Sequence, residues 1–292
     1  MSARMIPRHL NKAANKGFSL IELMVAMALG LIVLGAAIAV FQSNLRTFNA
    51  NGGLNRVQEG ARVAFELISR DLRAAGGSAC SIASSIQSSG VVSNAFSETP
   101  VTGSATELTV TSGEDSAYKV TESTPTSVTL EIADAAVAFK KDDWVLLCNA
   151  RKTYVVQAAT VSGKNVTFAT LPGGYNPMSD SFAPPAAVVL AKVRSSRWYV
   201  ALNTRGGNSL FVSRFGAAGE EVAEGVQSLA LTYLETGSTA YTAAPADWRD
   251  VIAVRMDMTL EGRAADGSAL QVDGRAINRT ASTVVSLRGR AL

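Results

Sequence analysis

From Phe18 to Phe41 the chain is an almost unbroken apolar run with no Lys, Arg or Pro and a single charge, Glu22. At about 1.5 Å per residue, such a run is long enough to cross the ~30 Å hydrocarbon core of a bilayer as a helix. Past residue 41 the continuous apolarity gives way to helical periodicity. Leu54, Val57, Ala61, Ala64, Ile68 and Leu72 recur at spacings of three and four, with Phe65 widening the stripe. The opposite face carries Asn55, Gln58, Arg62, Glu66, Arg70 and Arg73, and Arg62, Glu66 and Arg70 stand four apart so that unlike charges adjoin. This pattern predicts a helix lying on a sheet. Gly76-Gly77 supply its stop, because glycine accepts the left-handed conformation that ends helices. No proline interrupts residues 18–75, so one helix of about 87 Å is expected, with Gly52-Gly53 and Gly60 its softest points.

After residue 77 the pattern changes to short alternating runs separated by turn residues. Residues 105–111, 126–132, 143–149, 152–158, 164–170, 186–193, 197–202, 209–214, 226–235, 251–262 and 281–287 read as strands. Residues 78–104 are Ser-rich and weakly patterned and read as loop. A second loop, residues 171–185, carries Pro172, Pro177, Pro184 and Pro185 and is a candidate divider between two β subdomains. The expected fold class is α+β, a long N-terminal helix packed on a β-rich, mostly antiparallel head. Its segments are a leader (1–17), an apolar helix (18–41), an amphipathic continuation (42–77) and the head (78–292).

Charge changes the picture at one end only. Arg4, Arg8, Lys12 and Lys16 crowd the first 17 residues, which hold no acid, and the remainder carries 23 basic against 24 acidic side chains. The head therefore offers no general attraction for nucleic acid. Basic residues before the apolar run place that end in the cytoplasm and the head outside. The lone histidine, His9, lies in the leader, so no His-based triad or ordinary zinc site is expected in the head. Cys80 and Cys148 form no CxxC motif. They read either as a disulfide, which would stabilise an extracytoplasmic head by roughly 4 kcal/mol, or as two buried free thiols.

The acid pairs Glu114-Asp115, Asp142-Asp143 and Glu220-Glu221 cannot form a catalytic dyad by spacing, since neighbours on a strand point to opposite faces. No calcium-binding loop, P-loop, GxSxG or dinucleotide fingerprint is present, and no enzyme, cofactor or metal is expected. The "RGG" at 205–207 reads as a turn, Trp248 as a cover for a sheet edge, and Arg194, Arg197, Arg288 and Arg290 as solvated side chains.

Glu22 is the anomaly, because an ionised carboxylate at helix-centre depth costs about 2.5–3.5 kcal/mol on insertion scales. A cleaved secretory signal would cut after Ala37-Ile38-Ala39 and begin the mature chain at Val40. A plain single-pass anchor explains the length but not the acid. A basic leader, Gly17, Phe18, an apolar helix and a glutamate at the fifth position after Gly17 together resemble the signal of type IV pilins and pseudopilins. The resemblance implies prepilin peptidase cleavage between Gly17 and Phe18, N-methylation of Phe18, and Glu22 as the counter-charge to the new amino terminus during filament assembly. Ala26, Gly30 and Gly35 could permit close helix packing. Many members carry a proline within the apolar segment; this chain has none, with Ala39 in that neighbourhood.

Residues 55–77, 224–235, 244–260 and 280–290 are similar to PilW-type minor pilins. That resemblance implies a structural subunit in a minor-pilin complex that primes pilus assembly at the filament tip and so serves twitching motility and cell adhesion. It further implies other minor pilins, the major pilin, the prepilin peptidase, an inner-membrane assembly platform and a large tip adhesin as partners. The subunit would sit in the inner membrane with its head in the periplasm before entering the filament. A J-type minor pseudopilin of type II secretion is the alternative within the family, and a membrane-anchored extracytoplasmic binding protein is the alternative outside it.

Overall fold

The computed structural model describes residues 19–80, 84–87, 90–169, 175–178, 182–263, 269–272 and 275–287. In chain order its elements are α1 (Leu20–Ala74), β1 (Ser85–Ile86), α2 (Val91–Ser97), β2 (Val101–Gly103), β3 (Glu107–Ser123), β4 (Ser127–Leu130), β5 (Trp144–Cys148), β6 (Lys152–Ser162), β7 (Asn165–Phe168), β8 (Val189–Leu202) and β9 (Asn208–Arg214). They continue as β10 (Glu220–Glu224), β11 (Val226–Glu235), β12 (Tyr241–Thr242), β13 (Val251–Glu261), β14 (Gln271–Val272), β15 (Arg275–Ala276) and β16 (Asn278–Ser286). The chain forms two compact units, one up to Asn51 and one from Gly52 onward.

α1 is a single helix through Gly52-Gly53. Those glycines do not break it, and a Cβ on Gly53 would lie 1.7 Å from Leu270 Cδ1, so close packing against the chain near residue 270 explains that glycine. Ala61, Ala64, Ile68 and Leu72 are buried as the periodicity predicts, while Asn55, Gln58, Arg62, Glu66, Arg70 and Arg73 are exposed. The side chains of Leu54 and Val57 fall outside the described residues. Gly76, at φ +67°, terminates the helix and donates its N–H to Thr111 O.

Four strands in the order β12-β11-β13-β16 make one antiparallel sheet. Leu229, Leu231 and Tyr233 of β11 and Val254, Met256, Met258 and Leu260 of β13 are buried in the same core as the α1 stripe. β13 carries a bulge at Ile252, where Leu234 pairs with Ala253 but Glu235 pairs with Val251. Opposite this sheet, Leu108, Trp198, Leu210 and Val212 of β3, β8 and β9 complete the core. Leu231 N–H donates to Ala105 O, and the Tyr233 hydroxyl donates to Ser104 O at 2.8 Å. Burial pushes the Tyr233 phenol well above its ordinary value, which keeps it protonated as a donor.

The larger sheet does more than extend outward. β8 pairs with β5 through Val189–Lys192 and with β3 through Val189–Ala191 on its other side, and the chain of pairings β5-β6-β7-β4-β3 returns to β8. All six contacts are antiparallel, so the strands close a ring. Its interior holds a second core, including Leu130, Phe139, Val156 and Leu190. Phe182, from the proline-containing segment, is fully buried there, with its ring 5.2 Å from that of Tyr154.

Several sequence expectations need correction. The proline segment does not divide two subdomains, because β3 and β8 each run through both cores. Residues 186–193 and 197–202 are one strand, β8, whose polar middle is paired rather than looped. Residues 78–104 contain α2, a short helix held by Phe96 packing on Leu146, Val155 and Val193; tertiary burial outweighs its poor intrinsic propensity. β10 was absent from the strand pattern because three of its five residues are glutamates.

Cys80 and Cys148 form a disulfide, tying the segment after α1 to the end of β5. The cross-link restricts the unfolded chain more than the folded one. Replacing both cysteines with serine is therefore expected to lower head stability by about 4 kcal/mol in denaturant unfolding, and reductant should reproduce that loss in the parent without affecting the variant.

Candidate functional site

The N-terminal site is described from Ser19 onward. Gly17 and Phe18, the expected cleavage and methylation positions, lie outside the described residues, as do the leader cations, His9, Arg288 and Arg290. Ser19 O accepts from the N–H groups of Glu22 and Leu23 at 3.1 and 3.2 Å, opening α1. Glu22 therefore occupies the first helical turn, where a carboxylate also opposes the helix dipole. That ordinary benefit does not require a partner. Among the described residues Glu22 has no ion pair, and every side chain from Ser19 to Phe48 is exposed.

The exposed run includes Leu23, Met27, Leu31, Ile32, Leu34 and Phe41, each at least 56% accessible. Ala26 and Gly30 follow Glu22 at helical i+4 and i+8 positions. A Cβ built on Gly30 or Gly35 meets nothing within 4 Å, so both glycines leave open space alongside the helix. The arrangement can bind lipid or another apolar helix.

In the head, the residues weighed as binding or catalytic candidates are tied into structure. Arg194 Nη2 stands 3.0 Å from Asp71 Oδ1, an ion pair without hydrogen-bond alignment. Trp198 Nε1 donates to Asp71 Oδ2 at 3.0 Å. Arg194 is thus not a solvated side chain but a cation used to bind α1 to β8. Arg197 grips Glu107 with Nε and Nη2 and lies 4.8 Å from the Tyr199 ring centre. The buried Asp71 was missed in the sequence, although it stands seven residues after Ala64 and so falls on the buried stripe.

At least one member of each acid pair is engaged in an ion pair. Asp115 pairs with Arg70, Asp143 with Lys192 at 3.0 Å, Glu220 with Arg214 at 2.8 Å, and Glu224 with Arg205 at 3.0 Å. Such pairs allow the glutamate-rich β10 to lie beside β9. Residues 205–207 form the β8–β9 turn, with Asn203 Oδ1 accepting from Arg205 and Gly207 N–H groups. Trp248 packs edge-on against Tyr233, with ring centres 4.8 Å apart, which fits its role as a cover.

Residues 12–38 match the family described as the prokaryotic N-terminal methylation motif. The match includes Gly17, Phe18 and Glu22 and ends before the amphipathic part of α1. No curated protein sequence matches the chain significantly. Among solved structures, a type IV-like pilin from Thermus thermophilus aligns with 11% identity over 81% of this chain and 98% of that chain, at a TM-score of 0.34.

Asp71 makes the head's helix–sheet joint testable. Asp71→Ala should destabilise the head by about 2–4 kcal/mol, since it strands Arg194 and the Trp198 N–H in a largely buried site. Glu66→Ala, on the exposed face, should change stability by no more than about 0.5 kcal/mol. Equilibrium urea unfolding followed by tryptophan fluorescence measures both.

Proposed function

We propose that this chain is a type IV pilin-like structural subunit, processed between Gly17 and Phe18 and methylated on Phe18. The observation that carries the reading is the coincidence of a methylation motif with an exposed apolar helical run, residues 19–41, whose one charge is Glu22. The motif supplies the processing chemistry, and the helix supplies the reason for it. Removing the leader creates an amino cation beside the apolar segment, and a neighbouring Glu22 can neutralise it when helices come together out of lipid. A disulfide in the head agrees with passage outside the cytoplasm.

More finely, the chain is a minor pilin of the PilW type, joining other minor pilins in the complex that primes assembly at the filament tip. Its large head supports that assignment over a major pilin, and residues 55–77, 224–235 and 244–260 carry the similarity. Before assembly the helix anchors it in the inner membrane with the head in the periplasm. On this reading the work comes from burying apolar surface, and the subunit is not an enzyme.

Glu22→Ala separates assembly from folding. The variant should remain in the membrane fraction with its Cys80–Cys148 bridge formed, yet its content in sheared filaments should fall at least about tenfold, equivalent to 1.4 kcal/mol or more. Quantitative immunoblotting of both fractions checks this, and parental incorporation would contradict the charge-pairing role.

A further inference from the structure

The small sheet ends on β16, whose only strand partner among the described residues is β13. Hydrogen bonds at its two ends determine which way its backbone groups face. Leu287 N–H donates to Ile252 O, and Gly262 N–H donates to Ile277 O, both at 2.8 Å. Bonded and non-bonded pairs alternate along an antiparallel ladder. In the observed register, Arg279, Ala281, Thr283 and Val285 therefore bond to β13. The N–H and C=O groups of Asn278, Thr280, Ser282, Val284 and Ser286 point away from it, and no described residue bonds them.

This edge differs from the others. β10, at one end of the larger sheet, carries Glu220, Glu221 and Glu224, while β2 and β12 are short. Charges and short length are how natural sheets discourage added strands. β16 is nine residues long and its one charge, Arg279, lies near its N-terminal end; Thr280 to Ser286 contains no charge and no proline. Val284, near the middle of its outer face, is 50% exposed.

We infer that β16 is an isologous interface through which a second copy of this chain adds its own β16, joining two small sheets into one across a twofold axis. The strand is complementary to itself. With Ser282 opposite Ser282 of the other copy, Thr280 meets Val284 and Asn278 meets Ser286. Each outward-facing residue then has an outward-facing partner, and each such pair exchanges two backbone hydrogen bonds. The β-branched Thr280 and Val284 make favourable cross-strand neighbours. Arg279 of one copy faces Val285 of the other, leaving the two Arg279 residues about 20 Å apart along the strands, beyond the Debye length at physiological salt. Like charges therefore do not oppose the pairing. This interface is independent of Glu22 and of processing at Phe18, so its success or failure is separable from the pilin reading.

Cysteine cross-linking of the full chain tests the register, with the native cysteines already bridged. Ser282→Cys should give a covalent dimer on a non-reducing gel. Thr280→Cys alone should not, whereas Thr280→Cys mixed with Val284→Cys should. Ser282→Pro removes an outward N–H that β13 does not use; it should halve the mass found by light scattering in detergent while leaving the far-ultraviolet circular dichroism unchanged. A monomeric parent, a Ser282→Pro protein that stays dimeric, no Ser282→Cys dimer, or a cross-link only to some other protein would each overturn the inference.

Discussion

The structure depends on one constraint: the first part of α1 presents an apolar surface that is exposed from Ser19 to Phe48. Each large apolar side chain left in water forgoes about 1.5–3 kcal/mol, and the exposed run from Leu20 to Phe48 contains many. That surface needs lipid or other helices around it. Glu22 adds a second requirement, because either environment makes an unpaired carboxylate expensive. A covering of neighbouring helices that also brings a positive group satisfies both, and a processed amino terminus is such a group.

Within the unit from Gly52 onward, the same helix changes character because its apolar positions narrow to a stripe. Ala61, Ala64, Ile68 and Leu72 enter a core shared by both sheets, and Asp71 pins that stripe laterally through Arg194 and Trp198. β3 and β8 then carry the order outward, since each leaves this core to become a wall of the closed six-strand ring. Two long strands thus make two cores into one head, and the disulfide fixes the chain between helix and ring.

Much of this was legible in the sequence for identifiable reasons. The α1 stripe, the stop at Gly76 and the alternation of Leu229, Leu231 and Tyr233 are local patterns, whereas the bulge at Ile252 in β13 left no such mark. Cys80 and Cys148 were legible as a pair but not as a bond, since pairing requires knowing which segments meet. α2 was hidden because its stability comes from the place where Phe96 lands, and β10 because Arg205 and Arg214 neutralise its glutamates from elsewhere in the sequence. Closure of the ring has no local signature at all. At the N-terminal end, the methylation-motif match spans Gly17, Phe18 and Glu22, whose roles rest on resemblance rather than on any local period, whereas Asp71 required treating an acid on an apolar stripe as deliberate.

The central claim is that Glu22 is tolerated in the apolar helix because processing creates its partner. The most direct measurement is the N-terminal residue and its mass in protein purified from native membranes. The account predicts a chain beginning at Phe18 and carrying one added methyl group. A chain beginning at Met1 or at Val40 would contradict it.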